Sequence, residues 1–156
     1  MKAHSQGLRV LLLPVWSDPD PWDLLLPAAA VAEIVRADPV GEPGPRAPEW
    51  LRGYLGWRGL RLPLVRPTAF TGPTHRAYAA VCFAPGGGES AAPFFAIESP
   101  GMPRLERVTP DGLSAETGHR AAAEGLFIQV ALRVLGRPAG LVDLDALQRA
   151  LRAITG

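Results

Sequence analysis

The residues able to do chemistry in this 156-residue chain are few and scattered. His4, His75 and His119 show no His-x-x-x-His pair and no Cys/His spacing of the kind a metal site needs. The single cysteine, Cys82, lies inside the apolar run AYAAVCF, where a thiol is packing material rather than a nucleophile, and it excludes an internal disulfide. Ser90, Ser99 and Ser114 lack the Gly-x-Ser-x-Gly frame of a nucleophile elbow. The glycine-rich GGGES, Gly86 to Ser90, lacks the Lys-Ser/Thr ending of a phosphate loop and runs into a strand-like AAPFF, so it reads as a hairpin loop. Asp18/Asp20 lie in a Pro-rich turn, and Asp143/Asp145 open a helix, where carboxylates complement free N–H groups. No catalytic constellation, cofactor site or metal site is expected.

The bulk composition narrows the partners. Sixteen basic and fifteen acidic residues leave a formal net charge of +1, too balanced for a nucleic-acid or anionic-membrane footprint. With 47% hydrophobic and 20% charged residues the chain is globular. Seventeen Gly and seventeen Pro are roughly twice the usual share, which favours short strands and many turns. The N-terminal apolar run is too short for a signal sequence, and no stretch reaches the ~18 apolar residues of a membrane span. A cytoplasmic protein is expected.

The elements follow from periodicity. LRVLLLPVW (Leu8 to Trp16) and WDLLLP read as two buried strands able to pair as a hairpin. Pro27 and three alanines predict a short helix at about Pro27 to Glu33, followed by a strand. ADPVGEPGPRAPEW is a loop by composition. In EWLRGYLGWRGLRLPLV, Leu55 and Trp57 share one face, Tyr54, Gly56 and Arg58 the other, and Leu60, Leu62 and Leu64 continue the alternation beyond Arg58-Gly59. This is a β-hairpin with Gly59 in the turn. AYAAVCF, PFFAIES and Leu105 to Val108 are further strands. TPDGLSAETGHRAAAEG is turn-rich, with one helical turn near HRAAAE. Leu126, Ile128, Val130, Leu132 and Val134 alternate against Phe127, Gln129, Ala131 and Arg133, GRP turns that strand, and AGLV returns. Asp143 caps a final helix with Leu144, Leu147, Leu151 and Ile154 on one face. The expected fold is mainly β, with one or two small barrels.

Two functional classes remain open on the residues alone. Arg and Trp beside a rigid hairpin suit a protein–protein contact. Alternatively, Trp22, Trp50, Trp57, Phe94 and Phe95 could form a stacking platform in a small β-barrel that binds a ligand or nucleic acid.

Read together, LLLPAAAVAEIVR, APEWLRGYLGWRGLRLPLV, AYAAVCFAPGGGESAAPFFAIES, PRLERVTPDGL and GLFIQVALRVLGRPAGLVDLDALQRAL occur in an order that resembles the CheW-like domain of chemotaxis coupling proteins. The resemblance implies two small five-stranded barrels with a shared apolar core, in one domain spanning 1–156. It implies a non-enzymatic adaptor joining a methyl-accepting chemoreceptor tip to the regulatory domain of a CheA-type histidine kinase, without a cofactor. Val31 and Glu33 fall on the family's V-x-E element, Gly53 on the glycine before the hairpin, and Arg58 and Gly59 on its RG. Trp57 and Leu62, on the same hairpin, complete the expected partner-binding set. Gly56 stands where the family usually has Asn, Arg66-Pro67 replaces a carboxylate after the Pro strand, and Glu98 takes an acidic place later. These departures make the chain more similar to the PilI-like or ChpC-like adaptors of pilus chemosensory systems.

Overall fold

The structure, a computed structural model, describes residues 7–15, 22–67, 78–84, 93–115 and 127–155. In chain order the strands are β1 (Leu8–Val15), β2 (Trp22–Pro27), β3 (Val31–Arg36), β4 (Pro39–Gly41), β5 (Leu51–Trp57), β6 (Leu60–Val65), β7 (Tyr78–Phe83), β8 (Phe94–Ser99), β9 (Arg104–Val108), β10 (Leu113–Ala115), β11 (Ile128–Val134) and β12 (Arg137–Val142). The helix α1 (Leu144–Thr155) follows.

The strands form two sheets of six, ordered β10-β11-β12-β2-β1-β9 and β3-β7-β8-β6-β5-β4. In each, the two edge strands are neighbours in the chain. Only residues 37 and 38 separate β3 from β4, a reach of about 11 Å at 3.8 Å per residue. A flat six-stranded sheet would hold its edges about 24 Å apart. The second sheet must therefore curl until its edges nearly meet, and the four-residue link from β9 to β10 imposes the same on the first. Barrel-like curvature follows from connectivity, and register shifts at Val31/Glu33, Pro39/Gly41, Leu51/Gly53 and Ile128/Val130 supply the bends.

Each curled sheet has an inside and an outside, and both contribute buried residues. Val10, Leu12, Leu25, Val108, Val134 and Ala139 fill the first barrel. Leu55, Trp57, Leu62, Leu64, Val81 and Ala96 fill the second. The opposite faces meet in a shared core containing Leu13, Trp22, Leu24, Leu51, Cys82, Phe95, Ile97 and the Leu147 and Leu151 face of α1. This explains the unbroken LLL runs of β1 and β2. A strand covered on both faces has no polar side to alternate with.

The two-barrel, mainly β architecture with a terminal helix agrees with expectation, with six strands in each sheet rather than five. The first two strands pair antiparallel from Val10↔Pro27 to Val15↔Trp22. Asp143 Oδ1 accepts the Ala146 N–H at 3.0 Å and caps α1, whose last-expected apolar residue, Ile154, is exposed.

Four local readings are corrected. The helix expected at Pro27 to Glu33 is a single 3-10 turn, Ala28–Ala30, and Val31 and Glu33 already belong to β3. The β-branched residues that follow, and pairing with β7, override the helical preference of the alanines. The stretch read as one loop before Trp50 contains β4, three residues long. On β11 the expected alternation fails, because the bulge between Ile128 and Val130 leaves Val130 49% exposed and Phe127 buried. The β11–β12 turn is Leu135-Gly136, at φ 52° and 83°, one residue earlier than GRP. The histidines, GGGES, Asp18/Asp20 and the expected HRAAAE turn lie outside the described residues.

Candidate functional site

The hairpin β5–β6 turns through Arg58 and Gly59, both at positive φ (48° and 77°), the geometry a two-residue loop needs to match the strands' twist. That turn aims the Arg58 side chain outward, where it is 71% exposed. Trp57, one residue earlier, points the other way into the second barrel and is only 9% exposed. Its ring packs edge-on against Phe94 at 4.8 Å, and Phe94 in turn lies 5.6 Å from the half-exposed ring of Phe83.

Closure of the second barrel brings β3 to this hairpin tip, although the two are not adjacent in the sheet order. The Trp57 indole N–H donates to Glu33 Oε2 at 2.6 Å. Arg58 Nη2 lies 3.7 Å from the same oxygen, and its guanidinium stands 4.8 Å from the Trp57 ring centre. One carboxylate thus fixes an indole and orients a cation, while the hydrogen bond acts as a latch between edge strand and hairpin. A charge-assisted bond of this kind is worth about 1.5–3 kcal/mol when shielded and less where water competes, as it does at half-exposed Glu33.

Of the residues expected to meet a partner, Glu33, Trp57, Arg58 and Gly59 lie together at this end of the barrel, and Val31, two residues before Glu33 on β3, lines the groove that runs beside that strand. Val31 is half-buried against the shared core. Leu62, 1% exposed, is an interior residue of the second barrel and has no surface for direct contact. Gly53 is also buried. At φ 141° its backbone passes so close to β4 that a Cβ would lie 2.5 Å from the Gly41 carbonyl oxygen. Its requirement is a backbone crossing at the Leu51/Gly53 bulge.

Beside β3 runs an open groove of about 580 Å³ between the two sheets. Its walls include Val31, Glu33 and Ile34 from β3, Arg9 and Leu11 from β1, and Leu105 and Arg107 from β9. Arg58 is not part of the lining and touches it only through Glu33.

Two buried carboxylates, Glu98 and Asp23, have arginine partners that the sequence does not indicate. Glu98 accepts a two-pronged bond from Arg66, at 3.2 Å to Nε and 3.1 Å to Nη2, with Arg52 Nε at 3.4 Å. Asp23, fully buried at one mouth of the first barrel, receives Arg104 and Arg137, each at 3.2 Å. Arg66, noted as a departure, is thus the partner of Glu98 across β6–β8. Their sequence separations of 32, 81 and 114 residues hide such pairs from any local pattern.

The aromatic platform does not form. Trp22 and Phe95 are sealed in the shared core, Trp57 in the second barrel, and Trp50 packs edge-on against Phe127 at 5.3 Å. Cys82 is buried with its thiol directed at the Ala80 carbonyl at 3.5 Å, and burial pushes its pKa up to about 12. A thiol so protonated is a poor nucleophile. Among the described residues no group of three His, Cys, Asp or Glu could hold a metal ion, and no helix is long and apolar enough to cross a membrane.

Over residues 20–151 the sequence matches the family described as CheW-like domain. No curated protein matches it. Among solved structures, the crystal structure of scaffolding protein TtCheW from Thermoanaerobacter tengcongensis aligns with a TM-score of 0.61. It is 11% identical, with 91% of this chain and 89% of that chain covered, a likeness of fold.

Proposed function

Because the chain belongs to the CheW-like domain family, we propose that it is a non-enzymatic cytoplasmic adaptor that couples chemoreceptors to a CheA-type histidine kinase. Divergence at Gly56 and Arg66 favours a pilus-type system controlling twitching, with recruitment to membrane-associated receptor arrays. The observation that carries the reading is the contact of Glu33 with Arg58 at the margin of an open groove that Val31 and Glu33 both line. Residues from separate parts of the sequence are joined there through the Glu33 carboxylate.

The division of labour we infer is as follows. The edge of the second barrel, at β3 and its Val31, meets the kinase's regulatory domain. The groove between the sheets takes a helical receptor tip, with Arg58 at its margin. Gly53 and Leu62 act indirectly, by shaping the hairpin that presents Arg58. Each contact alone is small, and an array of many copies turns weak contacts into stable coupling.

The test is a calorimetric titration with the regulatory domain of the CheA-type kinase from the same organism. The wild type should bind saturably, and Val31→Asp should weaken binding at least tenfold, because a charge is buried in an apolar contact. Arg58→Ala should leave kinase affinity within about twofold and weaken receptor binding instead. Absence of binding to any such kinase would leave a CheW-like fold in another use.

A further inference from the structure

The mouth of the first barrel sets two positive charges against one negative. Asp23 lies opposite Pro14 on β1 and Ala139 on β12, and Ala139 belongs to the barrel interior, so the Asp23 carboxylate points inward. Arg137 shares the face of Ala139, two residues away, and Arg104 lies opposite the interior Leu12. Arg104 and Arg137 open their strands and Asp23 is second in its own, so the three charges gather at one end of the barrel.

The bonding there is lopsided. Arg104 Nη2 and Arg137 Nε both donate to Asp23 Oδ2, each at 3.2 Å. Oδ1 is buried and accepts from no group among the described residues. The other N–H groups of both guanidiniums likewise meet no acceptor there. A carboxylate can accept at both oxygens, and an arginine fork is shaped to use both. The arginine side chains are 39% and 49% exposed, within reach of a ligand from solvent, while that of Asp23 is sealed at 1%. The cluster thus carries an excess positive charge together with a buried acceptor that lacks a donor.

We propose that this mouth is a seat for an oxyanion that brings its own hydroxyl: hydrogen phosphate or a monoprotonated phosphomonoester. Its charged oxygens lie across the free edges of Arg104 and Arg137, and its P–OH donates to Asp23 Oδ1. Sulfate and ionised carboxylates offer the charge without the donor, and alcohols and amides the donor without the charge. Reaching Oδ1 requires a guanidinium to swing outward on its flexible stem, which the exposure of both arginines allows. None of the three residues lines the groove beside β3, and the inference stands apart from the adaptor reading.

The experiment titrates the full chain by calorimetry at pH 6 and constant ionic strength with sodium phosphate, sodium sulfate and O-phosphoserine, and follows the thermal unfolding midpoint with each. At that pH a phosphomonoester, whose second pKa is about 6, is roughly half in its hydroxyl-bearing form. Phosphate should bind saturably and raise the midpoint, because it binds the folded chain. Sulfate should bind at least about tenfold more weakly despite its greater charge, for want of the bond to Oδ1. Arg104→Gln and Arg137→Gln should each weaken phosphate roughly tenfold. Asp23→Asn should bring sulfate to within about threefold of phosphate, since an amide N–H donates to either anion. Should Asp23→Asn not fold, the sulfate comparison on wild type and the arginine variants decide. A folded wild type without saturable phosphate binding overturns the inference, as does sulfate bound as tightly as phosphate. Phosphate affinity unchanged in a folded Arg104→Gln/Arg137→Gln double variant also overturns it. O-phosphoserine bound more tightly than phosphate supports it with a phosphorylated side chain as the source, and phosphate bound in preference supports it with the free ion.

Discussion

Gly53 and Gly59 both carry positive φ, yet they are required for different reasons. Around Gly59 there is open space, so a side chain meets only the backbone preference, and Gly59→Ala should cost about 1 kcal/mol. At Gly53 the same change drives a Cβ into the Gly41 carbonyl, and nothing flexible stands in the way to yield. Gly53→Ala should therefore cost about 3 kcal/mol in urea denaturation and loosen β4. Equal costs at the two glycines would contradict this. Cys82 offers a pH test. Its folded thiol holds the proton up to a pKa of about 12, against 9.0 unburied, so folding binds a proton that the unfolded chain releases. That contribution is complete below pH 9 and is lost as pH rises toward 12, at about 1 kcal/mol per pH unit. Cys82→Ala should show a correspondingly shallower alkaline decline in stability than wild type.

At the scale of elements, the ion pairs tie strands together unequally. Arg66 and Glu98 are both largely buried and bonded in two prongs, whereas Arg52 is much more exposed. Arg66→Ala should cost about 3 kcal/mol by stranding a buried carboxylate, Arg52→Ala less than about 1 kcal/mol, and leucine at both 66 and 98 should recover much of the loss. Chemical denaturation of the three variants beside wild type checks the ordering. The same elements show what local pattern can carry. The Leu55/Trp57 alternation, the Arg58-Gly59 turn and the Asp143 cap are local facts, and each was legible. β4 and β10 are three residues each, too short for periodicity to register. Glu33 was placed on the candidate surface by resemblance, but its bond to the Trp57 indole depends on barrel closure, which no spacing within either strand encodes. Leu62 lies inside the second barrel, and a strand covered on both faces gives no sign in its sequence of which residues reach the surface.

For the molecule as a whole, the shared core is the dominant fact. Leu13 and Trp22 from one sheet, Cys82 and Phe95 from the other, and Leu147 from α1 belong to a single apolar cluster. Neither barrel can open without exposing the other's outer face. Differential scanning calorimetry should therefore show one transition with calorimetric and van't Hoff enthalpies in agreement, and two resolved peaks would mean separate folding units.

The strand order also sets a timetable for synthesis. The second sheet draws all its strands from residues 31–99, so it can close as soon as that stretch leaves the ribosome. The first sheet straddles it. β1 and β2 emerge first, but the strands that flank them, β9 and β12, begin only at residues 104 and 137. At ordinary elongation rates the leucine-rich hairpin waits about 4 to 20 seconds for its neighbours. During that interval its two open edges are a target for chaperones and for other nascent chains. The first strands made are among the last to be covered.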